Sequence, residues 1–318
     1  MNFHLMKDLS EDKIRGVLFG QAIGDALGLG TEFMTKSEVR RHYPDGLKDY
    51  AQIVQDGHRA RWREGDWTDD TDMMLCIAEA IVDDGEVNPL SVARRFKQWF
   101  RHNPMGIGRH THTVLSIGGY EEKPCLVAEK IWQMSGKRSA ANGAVMRTSV
   151  VGLLRQDVEK HAAGISRLTH ADPRCVGSSV IISLMVHSLV YQGETIPVEE
   201  LIKVGNRYDS RIEPYLRMTQ EGNLGVLQLD DERTMGYTLK TMAAALWCVY
   251  HSRSFEEGLL AVINEGGDAD TNGAVAGSLL GAKFGYAQIP VRYMAGLVRR
   301  AVLEDMAEAL LEMLPELK

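Results

Sequence analysis

Two segments near opposite ends of the chain place glycine at every fourth position: Gly16, Gly20, Gly24 and Gly28, then Gly273, Gly277, Gly281 and Gly285. In the first, Ile14, Val17, Leu18, Ile23, Ala26 and Leu27 recur mostly at spacings of three and four, the period of a helix with one buried face. A glycine inside a helix costs about 1 kcal/mol against alanine. Four on one stripe therefore need a compensating contact, and the contact that glycine alone permits is close approach of another backbone. Because the device recurs, the two stripes are expected to mark central helices packed at short range, over residues 11–30 and 274–284.

The rest of the chain reads as further helices. A short one over 37–42 meets the turn Tyr43-Pro44-Asp45-Gly46, and an irregular polar loop runs to residue 66. Helices are expected up to Asp83-Asp84-Gly85, from Asn88-Pro89, over Pro124–Met134, 145–154 and 158–168, and from Asp172-Pro173. More follow over 197–208, 211–221 and 233–250, then one opened by the capping box Ser254-Phe255-Glu256-Glu257. Two last helices are expected at 291–300 and 303–314. No alternating run of β-branched residues, no linker and no boundary is evident. The expected architecture is one all-α domain over residues 1–318.

At 44% hydrophobic and 25% charged residues the composition is that of a globular protein with ample material for a core. A net charge of −7 disfavours nucleic acid or an anionic membrane as the main partner. The start, MNFHLMKDLS, lacks the apolar centre of a signal peptide. No apolar run is read as approaching the roughly 18 residues of a membrane span. The four cysteines are scattered and read as reduced thiols, so a cytoplasmic location is expected.

Against this frame stand two clusters of oxygen ligands. Asp268-Ala269-Asp270-Thr271 follows Gly266-Gly267 and opens the second glycine-striped helix; Thr68-Asp69-Asp70-Thr71-Asp72 opens another. Thr68 fits an N-cap, and acids suit the positive end of a helix dipole. Three acids in four residues exceed that need and repel unless a cation or solvent relieves them. Asp268-x-Asp270-x-Asn272-Gly273 begins like a calcium loop, but the twelfth position is Leu279 where glutamate is required. His110 and His112 do not share a helix face, which argues against a histidine zinc site. Asp and Thr oxygens without a histidine or cysteine set suit Mg²⁺, Mn²⁺ or Ca²⁺. Together they can hold two ions about 3.5–4 Å apart. Glu32, just past the first striped helix at the end where the dipole disfavours negative charge, is a candidate base or an orienter of water. The loop 136–144 is small and polar; alone it reads as a turn, or as a phosphate site at a helix start. His170, alone, reads as a capping or packing residue.

Four motifs then occur in one order: Gly16-x-x-x-Gly20-Gln21-Ala22-Ile23-Gly24-Asp25-Ala26-Leu27-Gly28 with Glu32; Trp67-Thr68-Asp69-Asp70-Thr71; Asn142-Gly143-Ala144-Val145-Met146-Arg147; and Gly267-Asp268-Ala269-Asp270-Thr271. From about residue 13 to 305 the chain resembles the ADP-ribosylglycohydrolase family, of the dinitrogenase-reductase-activating type. The resemblance implies a compact orthogonal bundle of helices with two Mg²⁺ or Mn²⁺ ions. It implies hydrolysis of the bond between C1″ of ADP-ribose and an acceptor on a protein or a small conjugate. By residue-wise carry-over, Thr68, Asp69, Asp70, Asp268, Asp270 and Thr271 are implied as metal ligands. Glu32 is implied to act on the water or the distal ribose. Ser139, Asn142 and Gly143 are implied in the diphosphate loop, and His170 on the ADP-ribose. Two departures bear on the linkage cleaved. Gly106 stands where many members carry an aspartate that helps arrange the scissile ribose, and Ala141 stands where a glycine is usual.

Overall fold

The computed structural model describes residues 3–314. Among them are fifteen α-helices joined by turns, short 3-10 segments and one π-helical turn, Ser188–Gln192, and the sole β-bridge pairs Ala141 with Tyr237. The all-α architecture expected from the sequence is what forms. Six helices frame the site: α1 (Phe3–Gly28), α2 (Asp69–Asp84), α3 (Pro173–His187), α4 (Thr238–His251), α5 (Phe255–Ile263) and α6 (Ala269–Phe284). Buried apolar side chains from Ile14 to Leu314 join one continuous cluster around them.

The glycine stripes meet. Gly16 faces Gly281, Gly20 faces Gly277, Gly24 faces Gly273, and Gly28 faces Ala269, so α1 and α6 are antiparallel. At each rung a methyl group on α1 would fall into a facing carbonyl. Glycine is therefore required by the approach of two backbones, and the helix-propensity cost is offset along the whole seam. Gly285 is not a rung: it ends α6 at φ +87° and faces Asp12, whose carboxylate accepts the Ala287 amide at 2.9 Å.

This register places the site. The end of α1, with Glu32 just beyond it, lies beside the start of α6, with Asp268 and Asp270. Two backbone hydrogen bonds staple the junction: the Phe33 amide donates to Gly267 O at 2.6 Å, and the Gly267 amide to Met34 O at 2.8 Å. Gly266 and Gly267, at φ +76° and +70°, make the turn that allows it.

Other elements differ from expectation. Residues 145–154 form two 3-10 turns, Val145–Arg147 and Ser149–Leu153, rather than a helix. The helix expected from Arg233 starts at Thr238, after turns held by Asp231 and by Gly236 at φ +74°. Ser254 caps α5 by accepting the Glu257 amide, but Glu257 returns to the Arg253 amide, so the reciprocal capping box is incomplete. The stretch Pro173–Gln192 is long and apolar enough to cross a membrane, against the sequence reading, yet 78% of it is buried inside the protein. Its length serves the core.

Candidate functional site

Asp25, on the glycine-striped face of α1, organises the first turn of α2. It accepts four hydrogen bonds: from the Thr68 amide at 3.0 Å and hydroxyl at 2.8 Å, and from the Thr71 amide at 3.0 Å and hydroxyl at 2.6 Å. Thr68 makes no side-chain cap of its own; a carboxylate from another helix satisfies the orphan amides in its place. Gln21, one turn earlier, donates to Asp70 O at 3.1 Å and Met146 O at 2.9 Å. Two polar side chains of α1 thus fix where Asp69 and Asp70 sit.

Asp69, Asp70, Asp268, Asp270 and Thr271 meet Glu32 at the floor of a cavity of about 750 Å³. Thr68 lies one step behind, 3.0 Å from Asp70 Oδ2. Asp25, Asp70 and Asp270 bring carboxylate oxygens within 4.8 Å of one another, and so do Glu32, Asp268 and Asp270. Asp72, the third acid of the first cluster, turns away. It accepts Trp67 Nε1 at 2.8 Å and Trp99 Nε1 at 3.2 Å, and pairs with Arg299 at 2.8 Å. The cation relieving that acid is a side chain.

Burial, sharpened by neighbouring carboxylates, holds Asp69, Asp70 and Asp270 well above the usual range. Burial pushes Asp25 up to about 7 despite its four donors, and Asp268 up to about 6. Asp70 Oδ1 is buried with no hydrogen-bond partner among the described residues. Crowded, desolvated, oxygen-only donors with an orphan lone pair fit a hard divalent cation. Asp25 differs, because its four lone-pair sites are already taken. It positions the ligand set.

Glu32 is held from outside. His58 Nε2 lies 2.6 Å from Glu32 Oε2, and Arg61 donates to His58 Nδ1 at 2.7 Å. A guanidinium only donates, so in neutral His58 the proton sits on Nε2 and is given to Glu32. Buried Arg59 donates to the carbonyls of Gly30 and Glu32. This support comes from the loop that the sequence left irregular. Asp25 had a legible signal, an acid in an otherwise apolar and glycine-rich helix face. His58 had none.

The opposite wall carries Ser139, Asn142, Gly143, His110 and His170. Residues 140–142 are pinned to 236–238 by the Asn142 amide on Gly236 O at 2.9 Å and the Thr238 amide on Ala140 O at 3.0 Å. Ala141 lies in that bridge and is not at positive φ, so the glycine usual there is not required. Asn142 Nδ2 donates to Asp268 Oδ2 at 2.6 Å, tying wall to floor. A methyl group at Gly143 would come within 2.9 Å of both His170 Cε1 and Thr111 Oγ1. No α-helix follows this loop, so a helix dipole adds nothing to it. Gly106, at φ +83°, sits over the floor; a methyl group there would lie 3.1 Å from Asp69 Oδ1.

Residues 6–317 match the ADP-ribosylglycohydrolase family model. The ADP-ribosyl-[dinitrogen reductase] glycohydrolase of Rhodospirillum rubrum is 28% identical over 300 residues, covering 90% of either chain. ADP-ribosylarginine hydrolase Tri1 of Serratia proteamaculans is 26% identical, over 96% of this chain and 81% of its own. ADP-ribosylhydrolase ARH3 of Gallus gallus is also 26% identical, over 95% and 93%. A solved ADP-ribosylglycohydrolase-related protein complex superposes with a TM-score of 0.72 at 28% identity, over 96% of this chain and 99% of the other. With the match running the length of the fold, glycine seam and acidic floor included, the chain belongs to the ADP-ribosylglycohydrolase family.

Proposed function

We propose that the protein is a metal-dependent hydrolase that cleaves the C1″ bond between ADP-ribose and a protein side chain. The observation that carries this reading is the floor: buried carboxylates from two distant segments, crowded around an orphan oxygen of Asp70 at the base of a cavity large enough for a nucleotide. Thr68, Asp69, Asp70, Asp268, Asp270 and Thr271 would hold two ions, Mg²⁺ or Mn²⁺. When bound, these supply positive charge that orients sugar hydroxyls and stabilises charge developing on oxygen.

The protein's own groups do the rest. Glu32, fixed through one oxygen by His58, orients a water with the other or takes its proton. The water oxygen bonds to C1″, the bond to the acceptor breaks, and a proton goes to the acceptor. The wall at Ser139, Asn142, Gly143 and His170 lies along the ADP-ribose. The names of the Serratia and Rhodospirillum relatives make ADP-ribosylarginine and a modified protein the first substrates to try.

The test is release of ADP-ribose from a panel of arginine-, serine- and base-linked conjugates and small ADP-ribose derivatives, with Mg²⁺, Mn²⁺ or chelator. Metal-dependent release from a protein conjugate is expected. Turnover of small derivatives alone would move the substrate class, a result that Gly106 over Asp69 would rationalise. Tight ADP-ribose binding with no turnover under any metal would sink the hydrolase reading.

A further inference from the structure

Arg147 closes the third sequence motif, and neither floor nor cavity uses it. It is fully buried, and among the described residues no carboxylate lies within ion-pair distance. Its guanidinium sits 4.4 Å from the Phe96 ring centre, and Nη1 lies 3.7 Å from Met73 Sδ. Its one strong hydrogen bond runs from Nη2 to Thr169 Oγ1 at 2.6 Å. Asp69 acts on it only from beyond ion-pair distance; a buried cation without an ion-pair partner is unfavourable, and what it does contact points to its use.

Thr169 Oγ1 lies in turn 2.7 Å from His170 Nδ1. Arginine can only donate, so Thr169 Oγ1 accepts from it. The Thr169 hydroxyl hydrogen then has one acceptor within reach, His170 Nδ1. Were Nδ1 protonated instead, that hydrogen would be buried without a partner, as unfavourable as a lost hydrogen bond. With Nδ1 accepting, the imidazole proton belongs on Nε2. That atom is buried, has no partner among the described residues, and belongs to a side chain lining the cavity. Only glycine at 143 keeps the space beside it open, since a methyl group there would lie 3.1 Å from Nε2.

We propose that Arg147 and Thr169 are positioning residues that lock His170 as a neutral imidazole protonated on Nε2, so that the cavity wall presents a fixed N–H donor to an oxygen of the ligand. The ligand half of this inference rests on the ADP-ribose reading; the tautomer does not. Burial first, then His110 when it is protonated and the Arg147 charge, hold the His170 pKa well below 6.5, which keeps the donor neutral.

Protein labelled with ¹⁵N-histidine decides the tautomer through two- and three-bond ring correlations, with His170 assigned by its disappearance in His170→Gln. The wild type should show a single Nε2-protonated tautomer through neutral pH. Thr169→Ser, which keeps the hydroxyl, should retain it; Thr169→Val should show a mixture. By calorimetry, ADP-ribose should bind Thr169→Val about three- to tenfold more weakly, the loss expected for one misaligned hydrogen bond, and Thr169→Ser should recover the affinity. In turnover the Val variant should raise KM with little change in kcat. An Nδ1-protonated His170 in the wild type, or a Val variant unchanged in both tautomer and affinity, overturns the proposal. If Thr169→Val does not fold, the wild-type spectrum still decides. A wild-type protein with the expected tautomer that binds no ADP-ribose would remove the ligand assignment and leave the relay standing.

Discussion

The floor and the wall of the cavity are built on opposite principles. Floor carboxylates crowd together, leave Asp70 Oδ1 without a partner among the described residues, and are held protonated more tightly than usual by burial and mutual repulsion. Wall residues are engaged: Ser139 with His110, Asn142 with the floor's Asp268, and Thr169 with Arg147 and His170. The floor stores unfavourable electrostatics that a bound cation would relieve; the wall, His170 Nε2 apart, has its polar groups already paired. Substitutions in the floor should therefore change activity and intrinsic stability in opposite directions, and substitutions in the wall should change binding alone.

The largest effect belongs to Asp270, which takes part in both carboxylate triads. Asp270→Asn should lower metal-dependent turnover by on the order of 10³-fold. In chelator it should raise the melting temperature by a few degrees, because one of the repelling carboxylates is gone. Loss of activity together with loss of stability would break the contrast. Asp25→Asn comes next. Asparagine offers one acceptor oxygen to four donors, so two of the Thr68 and Thr71 bonds fail. The first turn of α2 then shifts, and apparent metal affinity or turnover should fall about 10–100-fold, as for outer-shell supports of metal ligands. An Asp25→Asn enzyme titrating metal like the wild type would show that Asp25 does not position the set.

The floor also predicts a pH dependence with a definite sign. Its aspartates have folded pKa values raised above the unfolded 3.8, Asp268 to about 6 and Asp25 to about 7. Over that window the folded state binds more protons than the unfolded one, so stability falls as pH rises. In chelator the melting temperature should drop as pH rises from about 4 through 7, at about 1.5 °C per kcal/mol for a chain of this size. Saturating Mg²⁺ or Mn²⁺ should flatten the curve. A melting temperature that rises across this window in chelator would contradict the crowded floor.

The same contrast governs what the sequence discloses. The glycine seam was legible because absence of a side chain at fixed spacing has one physical use. Only its last rung misled, since Gly285 serves the end of α6 and Ala269 is small enough to face Gly28. Acids at positions 69, 70, 268 and 270 were legible as unrelieved charge. Asp72 belonged to the same run, but Arg299, distant in sequence, neutralises it, and no local pattern shows that. Asp25 stands inside a motif with no role evident from the sequence, because one acid in a helix does not reveal which amides it will meet. The wall was reached through family resemblance. Its function depends on the direction of hydrogen bonds among neutral groups, which residue type and spacing do not encode.

Ser139 gives the smallest and most discriminating effect. His110 Nε2 lies 3.0 Å from Thr169 O, an atom that can only accept, so Nε2 carries a proton. Burial lowers the His110 pKa below 6.5, so at neutral pH the ring is uncharged and Nδ1 accepts. The Ser139 hydroxyl, 2.8 Å from Nδ1, gives its single proton there and has none left for a phosphate. Ser139→Ala should then raise KM no more than about twofold at pH 7.5, where a hydroxyl donating to a diphosphate would be worth about tenfold. Well below the His110 pKa the order reverses: Nδ1 becomes the donor, Ser139 is released to donate, and the wild-type advantage over Ser139→Ala should grow as pH falls. A KM ratio of wild type to variant measured at both ends of the range separates the two arrangements. A tenfold ratio at neutral pH would mean that the hydroxyl faces the ligand, and that this part of the wall is not settled in advance.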